Sequence, residues 1–125
     1  MLLVLAALMG CRKAQTGAGE VSVAQAQAWL SAGEATAVDI NVEEVRAEYG
    51  LLPGALLLET ASGYAAAVLP GDKARKLVFY CLNRLCTASH TAAARAKGFG
   101  YPNVYVMSEG IKAWQEAGFA LEPPR

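Results

Sequence analysis

Apolar residues run along this chain in short blocks, and the blocks alternate between strand-like and helical spacing. Ala35 to Ile40 is an apolar run that ends in Asp39-Ile40-Asn41, a buried strand meeting a polar loop. Lys76-Leu77-Val78-Phe79-Tyr80 is the clearest strand. Val104 to Met107 is a further one, and Leu56-Leu57-Leu58 follows the turn Leu51-Leu52-Pro53-Gly54-Ala55. Between these blocks the pattern turns helical. Ser22 can cap a helix over Val23–Ser31 that Gly33 stops. Glu43 to Tyr49 predicts a short helix with acids in its first turn, where they favour the helix dipole, and Gly50 ends it. Thr60 to Val68 reads as a helix ended by Leu69-Pro70-Gly71, and Asp72 as the start of another short helical piece. Thr87 to Lys97 is the clearest helix, with Ala88, Ala92 and Ala96 on one face and Gly98 and Gly100 after it. Ile111 to Ala117 is the last helix and carries Trp114. Strands alternating with helices predict an α/β fold, a mainly parallel central sheet with helices on both faces.

In such sheets ligands bind outside the carboxyl ends of the strands, and Cys81 stands at such an end. It closes the strand Lys76–Tyr80 and opens the segment Leu82-Asn83-Arg84-Leu85-Cys86-Thr87, which leads into the alanine-rich helix. Backbone N–H groups at a helix N-terminus lower a thiol's pKa and hold a negative ligand. Cys81 is therefore the candidate nucleophile, and a loop whose amides converge on it would hold an anion as an oxyanion hole does. Arg84 is the one cation in the loop and could admit an anionic ligand. Cys86 is a second candidate, which could form a dithiol–disulfide pair with Cys81. Bridging requires alpha carbons within about 7 Å. The competing reading of Cys86 is a small buried apolar residue.

The chain has 125 residues, zero formal net charge and three cysteines. It fits one domain that needs no metal or disulfide staple, and it offers no electrostatic case for nucleic acid. His90 lies four residues after Cys86, but two cysteines and one histidine make at most three ligands. A solvent-facing histidine is the better reading, so no metal and no cofactor are expected. Asp39 could support the pocket by receiving loop amides, or serve chain reversal alone. Glu43 and Glu44 read as helix-start acids, and Trp29 and Trp114 as core or rim aromatics.

The N-terminus stands apart. Leu2 to Met9 is apolar but shorter than the roughly 20 residues of a membrane span, and it ends in Leu8-Met9-Gly10-Cys11. Such a stretch before small residues suggests an export signal, although no Lys or Arg precedes it. Its ending resembles the lipobox of bacterial lipoproteins. That resemblance implies a signal over residues 1–10, lipid on Cys11, and a polar tether over residues 11–19. A domain over residues 20–125 would follow, held on the periplasmic side of a bacterial membrane through the lipid. Outside the cytoplasm a Cys81–Cys86 disulfide is chemically permitted.

From about Glu20 to Glu122 the chain resembles the rhodanese family of sulfurtransferases. Four segments carry the likeness: Val38-Asp39-Ile40-Asn41 followed by Glu43-Glu44; Leu52-Pro53-Gly54-Ala55; Val78-Phe79-Tyr80-Cys81; and Gly98-Phe99 through Asn103-Val104-Tyr105-Val106, Gly110-Ile111-Lys112-Ala113-Trp114 and Ala117-Gly118. The resemblance implies a three-layer fold and a Cys81 persulfide, whose anion converging loop amides would stabilise and whose anionic donor Arg84 could admit; Cys86 could then attack the Cys81 sulfur, release sulfide and leave a Cys81–Cys86 disulfide. It also implies a small anionic sulfur donor and a thiol or cyanide-like acceptor. The chain departs from the family at Asn41, where Arg is usual, and at Leu51, where His is common. It departs again at Arg84, Cys86 and Glu109, commonly Gly, a basic residue and Gly. A second loop cysteine resembles a variant found in exported members. The departures leave open a catalytically reduced module that binds anions or partners, and a Cys81/Cys86 redox module. A phosphatase of the related Cys-x5-Arg type would need Arg where Thr87 stands.

Overall fold

The structure, a computed structural model, describes residues 17–125. The Leu2–Met9 stretch, Cys11 and residues 12–16 of the expected tether lie outside the described residues. Five strands form one sheet: β1 (Gly19–Glu20), β2 (Ala35–Asp39), β3 (Leu56–Leu57), β4 (Lys76–Tyr80) and β5 (Val104–Val106). Their order is β1-β5-β4-β2-β3, and every pair is parallel. Four helices cover it: α1 (Val23–Ser31), α2 (Glu43–Tyr49), α3 (Ala88–Gly98) and α4 (Gly110–Glu116). Ser22 caps α1 by accepting from the Gln25 N–H at 3.0 Å, as its position predicts.

The strand period of two sorts the core into two faces. Leu77, Phe79 and Cys81 pack with Ala92, Ala93 and Ala96 of α3, whereas Val78 and Tyr80 pack with Ala26 of α1 and Ile111 and Trp114 of α4. Cys81 therefore faces α3 because it continues the odd-numbered register of β4.

Three sequence expectations are corrected. Gly19 belongs to the domain, since β1 pairs with Tyr105 and Val106; a two-residue edge strand has no periodicity to read. Thr60 to Val68 is not a helix, and only Ala66–Val68 winds, as a single 3-10 turn. Its anchors are Leu58, Tyr64 and Leu69, spaced too widely for a helical face. The Tyr64 hydroxyl donates to the Ala92 carbonyl at 2.6 Å and ties the segment flat against α3. Asp72 begins a turn and not a helix, because its carboxylate accepts from the Ala74 N–H at 2.9 Å, the local bond by which Asp competes with helix formation.

The carboxyl ends of β2 and β4 are joined by a buried polar cluster. Asp39 is wholly buried. Its Oδ1 accepts from the Asn41 N–H at 2.7 Å and from Arg46 Nε at 3.0 Å, and its Oδ2 accepts from the Tyr80 hydroxyl at 2.5 Å. The Tyr80 oxygen in turn accepts from the Leu52 N–H at 3.1 Å. Arg46 also donates to the Asp39 and Leu58 carbonyls at 3.1 and 2.8 Å, fixing α2 against β2 and the end of β3.

Burial, and then the Asp39 carboxylate beside it, push the Tyr80 phenol well above its ordinary value of 10.0. Below that value the phenol is protonated in both folded and unfolded chains, and its contribution to stability is complete. Above it the unfolded chain loses the proton first, so stability falls as pH rises. Tyr80→Phe should therefore lower stability by about 1–3 kcal/mol near neutral pH, since a buried amide and a carboxylate oxygen each lose a partner. It should also flatten the alkaline decline. Urea unfolding of both proteins on either side of pH ~10 checks both signs.

Candidate active site

β4 delivers Cys81 to the carboxyl edge of the sheet, where the residue is only 2% exposed. The start of the loop is fastened to α4. The Ile111 N–H donates to the Cys81 carbonyl at 2.9 Å and the Lys112 N–H to the Leu82 carbonyl at 3.1 Å. The approach is so close that a Cβ on Gly110 would stand 2.2 Å from the Leu82 oxygen, and Gly110 itself sits at φ +80. Only glycine meets both conditions.

Beyond Leu82 the loop folds on itself. Asn83 accepts the Leu85 N–H on its side chain at 3.0 Å and the Cys86 N–H on its carbonyl at 3.1 Å. This turn brings the Cys86 alpha carbon to 6.4 Å from that of Cys81, and the two sulfurs form a disulfide of 2.04 Å. The amides of Leu85 and Cys86 are thus spent within the loop. Of the alternatives left open by the sequence, the bridged pair is the one present.

Ser89 was not singled out by sequence reasoning, and its side chain is in contact with the candidate nucleophile. Its Oγ lies 3.5 Å from Cys81 Sγ. A disulfide sulfur carries no proton, so the hydroxyl is the donor. Ser89 is buried on the inner stripe of α3 with Ala92, Ala93 and Ala96. A lone hydroxyl at helical spacing within an apolar stripe is the signal that would have found it.

The other candidates are dispersed. Asp39 receives no loop amide from Leu82 to Thr87; its partners are Arg46, Tyr80 and the Asn41 N–H. Arg84 pairs with Glu109 Oε2 at 3.8 Å, both partly exposed, a geometry that contributes little energy. Glu109 also accepts the Val23 N–H at 3.2 Å, so it joins the loop to the start of α1. Thr87 precedes α3 without a side-chain cap bond. His90 is exposed and stands 3.4 Å from the Ser108 hydroxyl, which donates to Glu20 at 2.7 Å. Among the described residues no group of His, Cys, Asp and Glu could hold a metal ion, and no helix is long and apolar enough to cross a membrane.

The loop divides two clefts. One is polar and carries Arg84, Glu109, Lys112 and Glu116. The other is a mostly apolar groove of about 440 Å³, lined by Asn41, Val42, Val45, Leu82, Leu85 and Cys86 among others. Cys86 faces this groove; Cys81 is not part of its lining. Asn41 is buried at its edge, and its Nδ2 has no partner among the described residues.

The rhodanese-like domain model matches residues 22–117. A human single-domain sulfurtransferase is similar in structure, with 25% identity, a TM-score of 0.62, and coverage of 80% of this chain and 97% of that one. A protein of unknown function from Rhodopseudomonas palustris, described as a possible tyrosine phosphatase, also has 25% identity, with a TM-score of 0.67 over 84% of this chain and 85% of that one. The 3-mercaptopyruvate sulfurtransferase of Escherichia coli shares the fold at 20% identity and a TM-score of 0.66, over 85% of this chain and 50% of its own. No curated protein sequence matches.

The close contact at Gly110 gives a direct test of how the loop is held. Gly110→Ala must displace the Leu82–Asn83 backbone and adopt a left-handed conformation, a combined cost of roughly 2–4 kcal/mol. Chemical denaturation of the oxidised protein should register that loss, and a neutral result would mean the loop is not fixed there.

Proposed function

The chain belongs to the rhodanese-like domain family, and from that premise we propose that it is a sulfurtransferase carrying sulfane sulfur as a persulfide on Cys81. The observation that carries this reading is the position of Cys81. Its sulfur lies at the carboxyl end of a central parallel strand, before α3, with the Ser89 hydroxyl beside it. In the reduced protein the Cys81 thiolate attacks the outer sulfur of a donor. The donor's sulfur–sulfur bond breaks, its remainder departs with the electron pair, and a Cys81 persulfide forms. Before the attack, the Ser89 hydroxyl donates to the Cys81 thiolate Sγ and stabilises its negative charge. A thiol or cyanide-like acceptor then takes the outer sulfur and restores the thiolate.

Cys86 supplies a second exit. Its thiol attacks Cys81 Sγ, hydrogen sulfide leaves, and the Cys81–Cys86 disulfide remains. An external dithiol must then reduce the pair before another turnover. The disulfide itself favours a second reading, a dithiol–disulfide module in which these two sulfurs are the whole of the chemistry. We place the protein outside the cytoplasm, lipid-anchored at Cys11; the Leu8-Met9-Gly10-Cys11 ending supports this, as does a sulfur pair suited to an oxidising compartment.

Intact mass after incubating reduced protein with thiosulfate tests the persulfide. One added sulfur should appear on the wild type, vanish in Cys81→Ser, and persist longer in Cys86→Ser; cyanide should remove it. No adduct on the wild type, or an adduct retained by Cys81→Ser, would falsify the persulfide reading and leave the redox module. A hydrogen bond to a charged group is worth about 1.5 kcal/mol or more, so Ser89→Ala should slow alkylation of reduced Cys81 at neutral pH about tenfold. The rate profile should move to higher pH without losing amplitude at its plateau.

A further inference from the structure

We infer that the apolar groove beside Cys86 is a docking subsite for a protein segment that presents a cysteine between apolar residues, and that this incoming thiol attacks Cys86 and not Cys81. The inference rests on the disulfide and deepens the redox reading. Access decides which sulfur can be reached: Cys81 is 2% exposed, whereas Cys86 lines the groove. An external thiolate arriving there forms a bond to Cys86 Sγ. The Cys81–Cys86 bond breaks, and its electron pair leaves on Cys81 as a thiolate, which the Ser89 hydroxyl 3.5 Å away receives. One disulfide is exchanged for a mixed disulfide, so no further oxidant or reductant enters the step.

The walls select the thiol. Val42 and Leu85 are large apolar side chains left 62% and 89% exposed at the groove. Among the described residues no cation lines it; Arg84 lines the neighbouring cleft with Glu109. A small anionic or zwitterionic thiol would lose hydration there and gain no ion pair. An apolar peptide gains by covering Val42 and Leu85. The occupant thus has a thiol and apolar flanks on both sides of it, the features of a cysteine inside an apolar stretch of polypeptide.

The test uses the oxidised protein and no sulfur donor. Short peptides with one cysteine flanked by leucines, or by serines, are compared with glutathione for the rate at which they open the Cys81–Cys86 disulfide, followed by acid quench and intact mass. The leucine peptide should be at least about tenfold faster than the other two, one tenfold step being the burial of a couple of methylene-sized apolar groups. Oxidised leucine peptide should form a mixed disulfide with Cys81→Ser, mapped to Cys86, and react far more slowly with Cys86→Ser. Equal rates for the three thiols, glutathione as the fastest, or preferential capture at Cys81 would each overturn the inference. None of these outcomes bears on whether reduced Cys81 takes sulfur from thiosulfate, and a missing sulfur adduct would leave this docking reading intact.

Discussion

Everything at the carboxyl edge of this sheet depends on one buried carboxylate. Asp39 is in the protein interior, where an unpaired charge would be prohibitive, and each of its oxygens is met by a specific donor. Because those donors come from α2, from the second residue after β2 and from the end of β4, satisfying the carboxylate fixes three elements at once. Arg46 extends the lock to β3 through the Leu58 carbonyl. The cluster is poor evidence for raw stability, since buried ion pairs barely recover their desolvation cost. Its consequence is geometric. β4 cannot slide against β2 without stranding the Tyr80 hydroxyl, so the position of Cys81, one residue further on, is set. The same lock holds the Asn41 backbone at the edge of the groove.

A second constraint acts on the loop. Its first residues are stapled to the start of α4 and crowded by Gly110, while its tip is open, with Leu85 almost fully exposed. The loop is thus anchored at its Cys81 end by α4 and at its Cys86 end by the disulfide and by packing against the α3 face of the core, and only its tip stands in solvent.

The alternation of strands and helices and the strand-end position of Cys81 were legible in the sequence because burial on both sheet faces writes continuous apolar runs and caps into it. The errors fall where local pattern and tertiary demand diverge. Thr60 to Val68 contains good helix formers, yet Tyr64 reaches across to the Ala92 carbonyl and the segment lies flat. Gly19–Glu20 is too short to show a period. Asp39 was visible as a strand-end acid, but its partners come from seven and forty-one residues away, and no spacing rule connects them. Ser89 is one hydroxyl in an alanine-rich helix, and its meaning appears only when the register of β4 turns Cys81 toward α3. The pairing of Arg84 with Glu109 could not be read either, because the two stand twenty-five residues apart in the chain.

Cys81 Sγ can hold a sulfane sulfur or Cys86, never both, so persulfide formation and the disulfide compete for one valence. The two competitors have different requirements. A small anionic donor needs the loop amides and an accessible Cys81, both of which the bridged loop withholds by turning its Leu85 and Cys86 amides inward. An apolar thiol needs only the groove and Cys86, which the bridged loop presents. On the proposed reading, the disulfide therefore decides the class of reactant as well as the oxidation state: bridged, the site favours apolar thiols; opened, Cys81 becomes available to a sulfur donor. The thiol that opens the pair is then a precondition for sulfur transfer, which ties the two proposed chemistries into one sequence at a single sulfur.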